Sequence, residues 1–463
     1  MLSDAIVQAL KRQLPPAAWT DDPARLAPHQ VEWRKRWHGA AQMMAMPGTV
    51  DEAATVVRLC ADHGVPLVPQ GGNTGLVGGQ IAGSGELLIS LKRMTRIRHV
   101  DPDGALLIAE AGVTLAEVQA AAAQTGLQFP LSLASEGSCC IGGVLASNAG
   151  GVHVLRYGMA RDLTLGLEAV LAPGRIWNGL ATVRKDNSGY DLRHLLIGSE
   201  GTLGLITAAS LKLCPATPHR AVALAALADL DAAVALLRRA RSHPALNAFE
   251  VMQRFGLDLV AEQTGAAAPF QARPPWLALI ELAAALPLGE ALETILAEAL
   301  DAGEIRDAVI AQSDQQAQDL WAWRERLSEA QGIAGLSFKH DIALPVVAIP
   351  GFVARMLPDL EARIPGLRPC LFGHLGDGNL HFNLSQPVAM DPQAFEAERQ
   401  PIAELIHQAV LAEGGSIAAE HGLGVHKAEI YAATADPVRL EAERAIRRAL
   451  DPNGLFNPGR KIR

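Results

Sequence analysis

The chain has 463 residues, a length that suits one to three domains. Hydrophobic residues make up 49% and charged residues 19% of it, so it can bury a sizeable core and is too apolar to be disordered. Its 40 basic and 49 acidic side chains leave a net charge of −9 with no dense basic segment. That balance argues against a surface for nucleic acid or for anionic membranes.

The sequence pattern also lacks membrane and secretory signals. Asp229, Asp231 and Glu281 interrupt the most apolar stretches, so no uncharged segment reaches the length of a transmembrane helix. The first residues form an amphipathic run without a signal-peptide core. Five cysteines, an odd number without metal-type spacing, indicate reduced thiols. We therefore expect a cytoplasmic protein.

Helix and strand patterns alternate along the whole chain. In the first half, the patterns predict a helix from a capping box at Thr49 to Gly64, strands at 65–69, 86–91 and 106–109, a second capped helix from Thr114 to Gly126, and a strand at 205–213. In the second half, they predict strands at 276–282 and 337–347 and helices at 288–300 and 314–332. Pro215 and Pro218 bracket a linker, so we expect an α+β fold of two domains, 1–217 and 218–463.

Three glycine-rich stretches, 70–75, 135–151 and 197–204, lie in the first domain. Glycine lets backbone amides approach and surround a phosphate. The first stretch has neither the Gly-Lys-Ser/Thr of a P-loop nor the GxGxxG of a Rossmann dinucleotide site. A single such cluster is more often a tight loop without a ligand. Three clusters in one domain favour a nucleotide but do not identify it.

Five motifs resemble, in the same order, the FAD domain of the vanillyl-alcohol-oxidase/para-cresol-methylhydroxylase superfamily. They are PQGGNTG at 69–75, GGVLASNAG at 142–150, RYG at 156–158, KDNSGYD at 185–191 and GSEGTLG at 198–204. The resemblance implies a PCMH-type FAD-binding domain, with the FAD pyrophosphate in the 69–76 loop. Many covalent members carry a histidine on this loop where this chain has Asn73, so we expect non-covalent FAD. The implied cofactor residues are Pro69, Gln70, Gly71, Gly72, Asn73, Thr74, Gly75, Leu76, Ser135, Gly142, Gly143, Ser147, Asn148, Gly150, Glu200, Gly201, Ile206 and Asn457.

A histidine-rich segment in the second domain has the composition of a metal site. In HLGDGNLHFN at 374–383, strand alternation places His381 and Asn383 on one face, and the Gly-Asp-Gly turn brings His374 towards His381. Two histidines and Glu420 form an accepted ligand set for Zn²⁺, although Mn²⁺ or iron also suits such ligands. Histidines hydrogen-bonded in a core or turn are the alternative interpretation.

The C-terminal motifs extend the resemblance. HLGDGNLHFN, AEHGLG at 419–424 and DPNGLFNPG at 451–459 resemble the FAD-linked oxidase C-terminal domain of D-2-hydroxyacid dehydrogenases. This resemblance implies His374, His381 and Glu420 as metal ligands and Asn383 as a substrate contact. It also implies His421 as a general base that contacts the substrate, and a last segment, 420–463, that returns to the flavin.

A second anionic group of a substrate would need its own cationic site. Arg324 and Ser328 are one turn apart on the predicted helix 314–332, and Lys339 lies on the next strand. A solvated helix face with Glu325 and Glu329 is the alternative. However, LWAWRERLSE at 320–329 and FKHDIALP at 338–345 resemble D-2-hydroxyglutarate dehydrogenases, where the aligned residues hold the distal carboxylate. This chain has Ser328 where the better-known members have threonine, and D-lactate-specific relatives generally lack the lysine.

These patterns predict FAD- and metal-dependent oxidation of D-2-hydroxyglutarate to 2-oxoglutarate, with D-malate as a second substrate. The electron acceptor stays open between an electron-transfer flavoprotein and a quinone-linked carrier, and a homodimer is one candidate assembly. The first alternative function is a D-lactate or glycolate dehydrogenase on the same scaffold. Others are a non-catalytic flavin-binding electron-transfer subunit, a zinc hydrolase with glycine turns only, and, weakest, a nicotinamide-linked dehydrogenase.

Overall fold

The computed structural model describes residues 1–462, which form two compact units. Unit 1 comprises residues 1–150, 157–215 and the chain from 420 onward, and unit 2 comprises residues 151–156 and 216–419. Among residues 1–462, no helix is both long enough and apolar enough to cross a membrane.

The first part of the chain contains short helices around two small sheets. Its helices are α1 (Asp4–Gln13), α2 (Pro23–Leu26), α3 (Val50–His63), α4 (Leu115–Ala123), α5 (Ile141–Ser147), α6 (Val154–Tyr157) and α7 (Leu192–Leu196). Its strands are β1 (Trp19–Thr20), β2 (Met44–Ala45), β3 (Leu67–Gln70), β4 (Leu87–Ser90), β5 (Ile97–Asp101), β6 (Leu106–Glu110), β7 (Leu127–Gln128), β8 (Thr164–Leu171), β9 (Arg175–Gly179), β10 (Leu205–Lys212) and β11 (Cys214–Pro215). One-turn 3₁₀ helices lie at Pro16–Ala18 and Ala27–His29.

Unit 1 is built on these sheets. A four-stranded sheet has the order β1-β2-β4-β3, with β2, β3 and β4 parallel, and a five-stranded antiparallel sheet has the order β5-β6-β10-β8-β9. A pair of strands, β7 and β11, forms a separate ribbon. Apolar side chains of α1 and α3 cover the first sheet, and those of α4 and α5 cover the second.

The helix boundaries in unit 1 follow local side-chain chemistry. The Thr49 hydroxyl accepts the N–H of Glu52, and Gly64 ends α3 in a left-handed conformation. The predicted capping box is only half formed, because the Glu52 carboxylate accepts the N–H of Gly48 instead of that of Thr49. The box at Thr114 is complete, but α4 ends at Ala123, before the predicted end.

Unit 2 is a single large sheet with helices. Its helices are α8 (Leu230–Ala240), α9 (Arg254–Thr264), α10 (Ala291–Asp301), α11 (Asp314–Glu325), α12 (Leu327–Ala330), α13 (Ile349–Arg363), α14 (Pro392–Ala397) and α15 (Arg399–Ala412). Its strands are β12 (His219–Leu227), β13 (Leu246–Gln253), β14 (Trp276–Ala284), β15 (Asp307–Ile310), β16 (Ser337–Ala343), β17 (Arg368–Gly373) and β18 (Asn379–Ser385). One-turn 3₁₀ helices lie at Gln331–Ala334 and Val346–Ala348. The last helices of the chain, α16 (Ala428–Thr434) and α17 (Pro437–Leu450), belong to unit 1.

The unit 2 sheet is antiparallel and has the order β15-β12-β14-β13-β17-β18-β16. One face packs against α9, α11 and α12 through a buried apolar cluster that includes Met252, Trp323 and Phe372. This face is called the helix-covered face below. Its strands carry three of the polar side chains that the sequence singled out in this unit, Lys339, His381 and Asn383.

The predicted helix 314–332 is wrong as a single element. It ends as α11 at Glu325, and Arg326, with ψ near −9°, separates it from α12. The break lets Leu327 pack, fully buried, against Gly256 of α9, where an added Cβ would lie 2.7 Å from a Leu327 methyl. Tertiary packing therefore overrides the helical pattern here.

Candidate active site

The glycine-rich stretches of unit 1 converge around the ends of β3 and α5. A Cβ at Gly71 would lie 3.6 Å from the amide nitrogen of Gly143, so the first and second stretches face each other. The third stretch lies on α5, because the N–H of Glu200 donates to the Ala146 carbonyl at 2.7 Å. A Cβ at Gly201 would lie 3.0 Å from Pro69. The three clusters therefore form one site, as a nucleotide cradle requires.

Gly72 shows why this loop needs glycine. A Cβ there would lie 2.0 Å from the carbonyl oxygen of Ser138, so only glycine lets the 69–76 loop lie against the 135–140 backbone. Ser135 shapes the 135–140 segment, because its carbonyl accepts the N–H groups of Ser138 and Cys139. Burial raises the pKa of the neighbouring Cys140 thiol to about 11, so it stays protonated at neutral pH.

Several side chains predicted to contact the cofactor are used within the protein. Gln70 is buried and bonds to His29 and to the Gln80 carbonyl. Asn73 donates to two backbone carbonyls and adopts a left-handed conformation. The Ser147 hydroxyl bonds within α5. Asn148, also left-handed, accepts the Arg161 N–H. These side chains shape the loops, which leaves contact with a cofactor to their backbone.

Glu200 anchors the C-terminal motif to the glycine-rich loops inside unit 1. Its carboxylate accepts the N–H groups of Leu423 and Gly424 at 2.9 and 2.7 Å. A Cβ at Gly424 would lie 2.3 Å from the Val77 carbonyl oxygen, so this turn touches the end of the first loop. Glu420 and His421, both half-buried, directly precede the anchored turn.

Asn457, in the C-terminal segment, contacts both β3 and Glu200. Its N–H donates to the Leu67 carbonyl on β3, and its side-chain amide donates to the Glu200 carbonyl, both at 2.8 Å. Its Oδ1 atom is buried without a hydrogen-bond partner among the described residues. Two other predicted contacts are also buried: Gly150, shortly after α5, and Ile206, on β10.

The helix-covered face of unit 2 carries the predicted site residues His381, Asn383 and Lys339. His381 and Asn383 of β18 point to this face, as strand alternation predicts, while Leu380 and Phe382 are fully buried. In register with them on β16 are Asp341, opposite His381, and Lys339, opposite Asn383. These side chains therefore form adjacent rows on one surface.

His374 folds back towards His381, as the sequence predicts. The turn between β17 and β18 brings their ring centroids to 5.7 Å and a ring nitrogen of each within 4.8 Å of the other. Their separation suits two ligands of a single ion. Asp341 lies 3.9 Å from the Nδ1 atom of His381 and accepts a hydrogen bond from Asn379.

Glu250, on β13, is a site residue that the sequence did not reveal. Its side chain is 0% exposed, its Oε1 is 2.6 Å from the Nδ1 atom of His374, and its Oε2 accepts the Nε–H of Arg324 at 2.7 Å. Burial alone would raise the pKa of Glu250, but the charges of and hydrogen bonds from His374 and Arg324 lower it to about 2. Glu250 stands in an apolar strand without a motif, so its two partners could be identified only from the sheet register.

Arg324 is neither solvated nor paired with Glu325 or Glu329. It is 8% exposed, and its guanidinium carbon lies 4.8 Å from the centre of the Phe372 ring. The bond from Nε to Glu250 is its one hydrogen bond within residues 1–462, which leaves the donors of both Nη groups for a ligand.

The other predicted substrate residues lie beside this group. Lys339 Nζ is 3.4 Å from the Ser328 carbonyl oxygen, so β16 and α12 meet here. The Ser328 side chain is exposed, and the break before α12 separates it from the helical face that carries Arg324. Asn383 is buried and donates to Gln331 at 3.1 Å, a polar neighbour that the sequence did not indicate.

Two family models match the chain in sequence order. The model described as FAD binding domain matches residues 41–179. The model described as FAD linked oxidases, C-terminal domain, matches residues 216–461, more than half of the chain. These matches confirm the prediction of FAD as a cofactor.

Curated relatives match along nearly the whole chain. D-2-hydroxyglutarate dehydrogenase of Xanthomonas citri pv. viticola is 36% identical over 460 residues, which cover 99% of this chain and 97% of that protein. Mitochondrial D-2-hydroxyglutarate dehydrogenase of Bos taurus is 36% identical over 466 residues, covering 99% and 83%. The enzyme of that name from Stutzerimonas stutzeri is 32% identical and covers 99% of both chains.

Solved structures share the fold. Substrate-bound p-cresol methylhydroxylase superposes with a TM-score of 0.75 at 17% identity, covering 99% of this chain and 97% of that one. Alkyldihydroxyacetonephosphate synthase superposes with a TM-score of 0.73 at 17% identity, covering 99% and 85%. They confirm the predicted PCMH-type α+β architecture, and the relatives and the family models establish the family. The chain therefore belongs to the FAD-linked D-2-hydroxyacid dehydrogenases.

Proposed function

We propose that this protein oxidises D-2-hydroxyglutarate to 2-oxoglutarate, with FAD and a divalent metal ion as cofactors. One observation carries the proposal: two residues that suit a distal carboxylate, Arg324 of α11 through its bond to Glu250 and Lys339 of β16, lie at the helix-covered face of unit 2. The same face carries His381, with His374 beside it. The relatives at 36% identity, named D-2-hydroxyglutarate dehydrogenases, support the same substrate.

The residues of unit 2 fit a metal ion. Two imidazoles have ring nitrogens within 4.8 Å, and the Nδ1 atom of His374 faces Glu250, so Nε2 is the ring nitrogen that we assign to the ion. Ser416 pairs with Ala343 at the end of β16, and Glu420, the proposed third ligand, follows four residues later in the chain. Two histidines and a carboxylate suit Zn²⁺, and Mn²⁺ also accepts such ligands.

The loops of unit 1 fit FAD. Three glycine-rich segments meet at one place, and an added Cβ at Gly143 would have no atom of residues 1–462 within 4 Å other than its chain neighbours and the backbone of its own helix. Asn73 holds two backbone carbonyls where covalent members carry a histidine, so we propose that FAD binds non-covalently. The 69–76 loop would hold the pyrophosphate through its backbone N–H groups.

The reaction removes a hydride from C2 and a proton from the substrate hydroxyl. When bound, FAD accepts the hydride at N5, and a metal ion lowers the pKa of the hydroxyl. His421 takes the proton on a ring nitrogen, because imidazole is an effective base near neutral pH. Glu200 fixes the turn that follows His421 and so orients it. Asn383 would donate a hydrogen bond to the substrate.

The distal carboxylate distinguishes D-2-hydroxyglutarate from shorter D-2-hydroxy acids. The Nη groups of Arg324 and the Lys339 ammonium supply charge-assisted donors, with the Ser328 hydroxyl as a weaker third. Because Ser328 lies beyond the helix break, its position depends on α12 and not on α11. D-malate, one methylene shorter, is the next candidate substrate, and an electron-transfer flavoprotein or a quinone-linked carrier the candidate acceptor.

A substrate panel tests this function. The purified FAD-loaded protein is mixed without oxygen with D-2-hydroxyglutarate, L-2-hydroxyglutarate, D-malate, D-lactate or glycolate, and loss of the flavin absorption band is followed. We expect fast bleaching by D-2-hydroxyglutarate, slower bleaching by D-malate and little by the others. Preferential bleaching by D-lactate or glycolate would keep the flavin chemistry and refute the proposed substrate.

A further inference from the structure

Glu250 joins two groups of residues to which the proposed function gives separate tasks. His374 follows β17 and is a proposed metal ligand, whereas Arg324 lies on α11 and is a proposed carboxylate ligand. They are 124 and 74 residues from Glu250 in sequence, yet each bonds to a different oxygen of its carboxylate. A fully buried carboxylate is retained only where both oxygens have partners, and these are the two partners.

Each bond fixes a property that the proposed site needs. An ionised carboxylate only accepts hydrogen bonds, so the Nδ1 atom of His374 carries a proton, and loss of the other ring proton on metal binding makes the Nε2 lone pair the one that an ion can take. On the other side, the bond to Nε and the Phe372 ring at 4.8 Å together set the plane of the Arg324 guanidinium. The ring centroid of Phe372 is also 5.0 Å from that of His381, so Arg324, Phe372 and His381 are in contact in series.

We propose that Glu250 is a positioning residue that couples the metal site to the distal-carboxylate site. One carboxylate sets both the tautomer of His374 and the orientation of Arg324. Metal binding and recognition of the distal carboxylate of the substrate therefore both depend on Glu250. The inference rests on the proposed function for the identity of both ligands. The contacts that carry it lie wholly within unit 2.

The substitution Glu250→Gln separates the two tasks. Arg324 Nε can only donate, so it selects the carbonyl oxygen of the new amide and turns the NH₂ group towards His374. The Nδ1 atom of His374 must then accept, which moves its proton to Nε2 and removes the lone pair for the metal. Glu250→Ala instead removes the support of Arg324 as well.

Glu281→Gln is the matched control. Glu281 is a buried glutamate of the neighbouring strand β14, 1% exposed and on the same sheet face. Within residues 1–462 its polar partners are Asn247, Trp321, Arg220 and His153, which include neither His374 nor Arg324. The control therefore makes the same chemical change at the same depth of burial without touching the proposed coupling.

The test measures Zn²⁺ and Mn²⁺ affinity of the FAD-loaded proteins by competition with a chromophoric chelator, alongside the melting temperature. We expect Glu250→Gln to weaken Zn²⁺ binding by about 10–100-fold, and Glu281→Gln to leave it within about twofold while lowering the melting temperature similarly. Unchanged affinity in Glu250→Gln, or an equal loss in both variants, would overturn the proposal. So would a wild-type protein that binds neither ion.

Substrate selectivity is the second readout. The ratio of kcat/KM for D-2-hydroxyglutarate to that for D-lactate should fall about tenfold or more in Glu250→Ala and stay near the wild-type value in Glu250→Gln. An unchanged ratio in Glu250→Ala would refute the link to Arg324. If wild-type protein bound Zn²⁺ and lost it in Glu250→Gln, yet did not oxidise D-2-hydroxyglutarate, the substrate assignment would fail and the role of Glu250 in metal binding would stand.

Discussion

Lys339→Met tests the distal-carboxylate site with little disturbance of the fold. Lys339 is half-buried on β16, beside Asn383 of β18 in the sheet register. Methionine keeps an unbranched apolar stem in place of the lysine stem and removes only the ammonium group. A hydrogen bond to a charged group contributes about 1.5–3 kcal/mol, which corresponds to roughly 10–150-fold in kcat/KM.

The loss should depend on the substrate. D-2-hydroxyglutarate has a distal carboxylate and D-lactate does not, so D-lactate serves as the control within one variant. Anaerobic flavin reduction, followed by stopped-flow absorbance over a range of substrate concentrations, gives kcat/KM for each. We expect the roughly 10–150-fold loss for D-2-hydroxyglutarate and less than about twofold for D-lactate. Equal losses for both substrates, or none for either, would refute the role of Lys339.

Three further predictions address the metal, the base and the anchored turn. Removal of divalent metal with a chelator should abolish substrate-driven bleaching of the flavin in the absence of any loss of FAD. Added Zn²⁺ or Mn²⁺ should restore the bleaching in the wild-type protein but not in His381→Ala. Activity that survives chelation would refute metal dependence. His421→Asn should slow flavin reduction by about 10²–10⁴-fold with a small change in KM, and a rate within tenfold of wild type, measured by stopped flow, would exclude His421 as the base. Glu200→Gln should destabilise unit 1 by about 1.5–3 kcal/mol, because a neutral amide replaces the carboxylate that accepts the N–H groups of Leu423 and Gly424; unchanged denaturant unfolding would contradict this.

The predictions from sequence were most accurate where local chemistry decides the structure. The alternation of β18, the turn that returns His374 to His381 and the complete capping box at Thr114 are confirmed. Each depends on residues close together in the chain, whose geometry follows from a strand period or a short hydrogen bond.

The errors and omissions arise from long-range packing. The helix 314–332 is broken because Leu327 packs against Gly256, 71 positions away, which no helical period records. Glu250 was missed because its two partners are remote in sequence and its strand carries no motif. Arg324 stays a predicted substrate contact, and its bond to Glu250 is visible only once the order of the sheet is known. A buried acidic residue in an otherwise apolar strand was the one signal that the sequence offered.

The most direct test of the proposed activity is a single anaerobic turnover with product analysis. Protein loaded with FAD and Zn²⁺ or Mn²⁺ is mixed with excess D-2-hydroxyglutarate, flavin reduction is measured by absorbance, and the acid-quenched solution is assayed for 2-oxoglutarate. We predict one equivalent of 2-oxoglutarate for each flavin reduced, and none with the L-enantiomer. Flavin that stays oxidised, or that is reduced without formation of 2-oxoglutarate, would contradict the proposal.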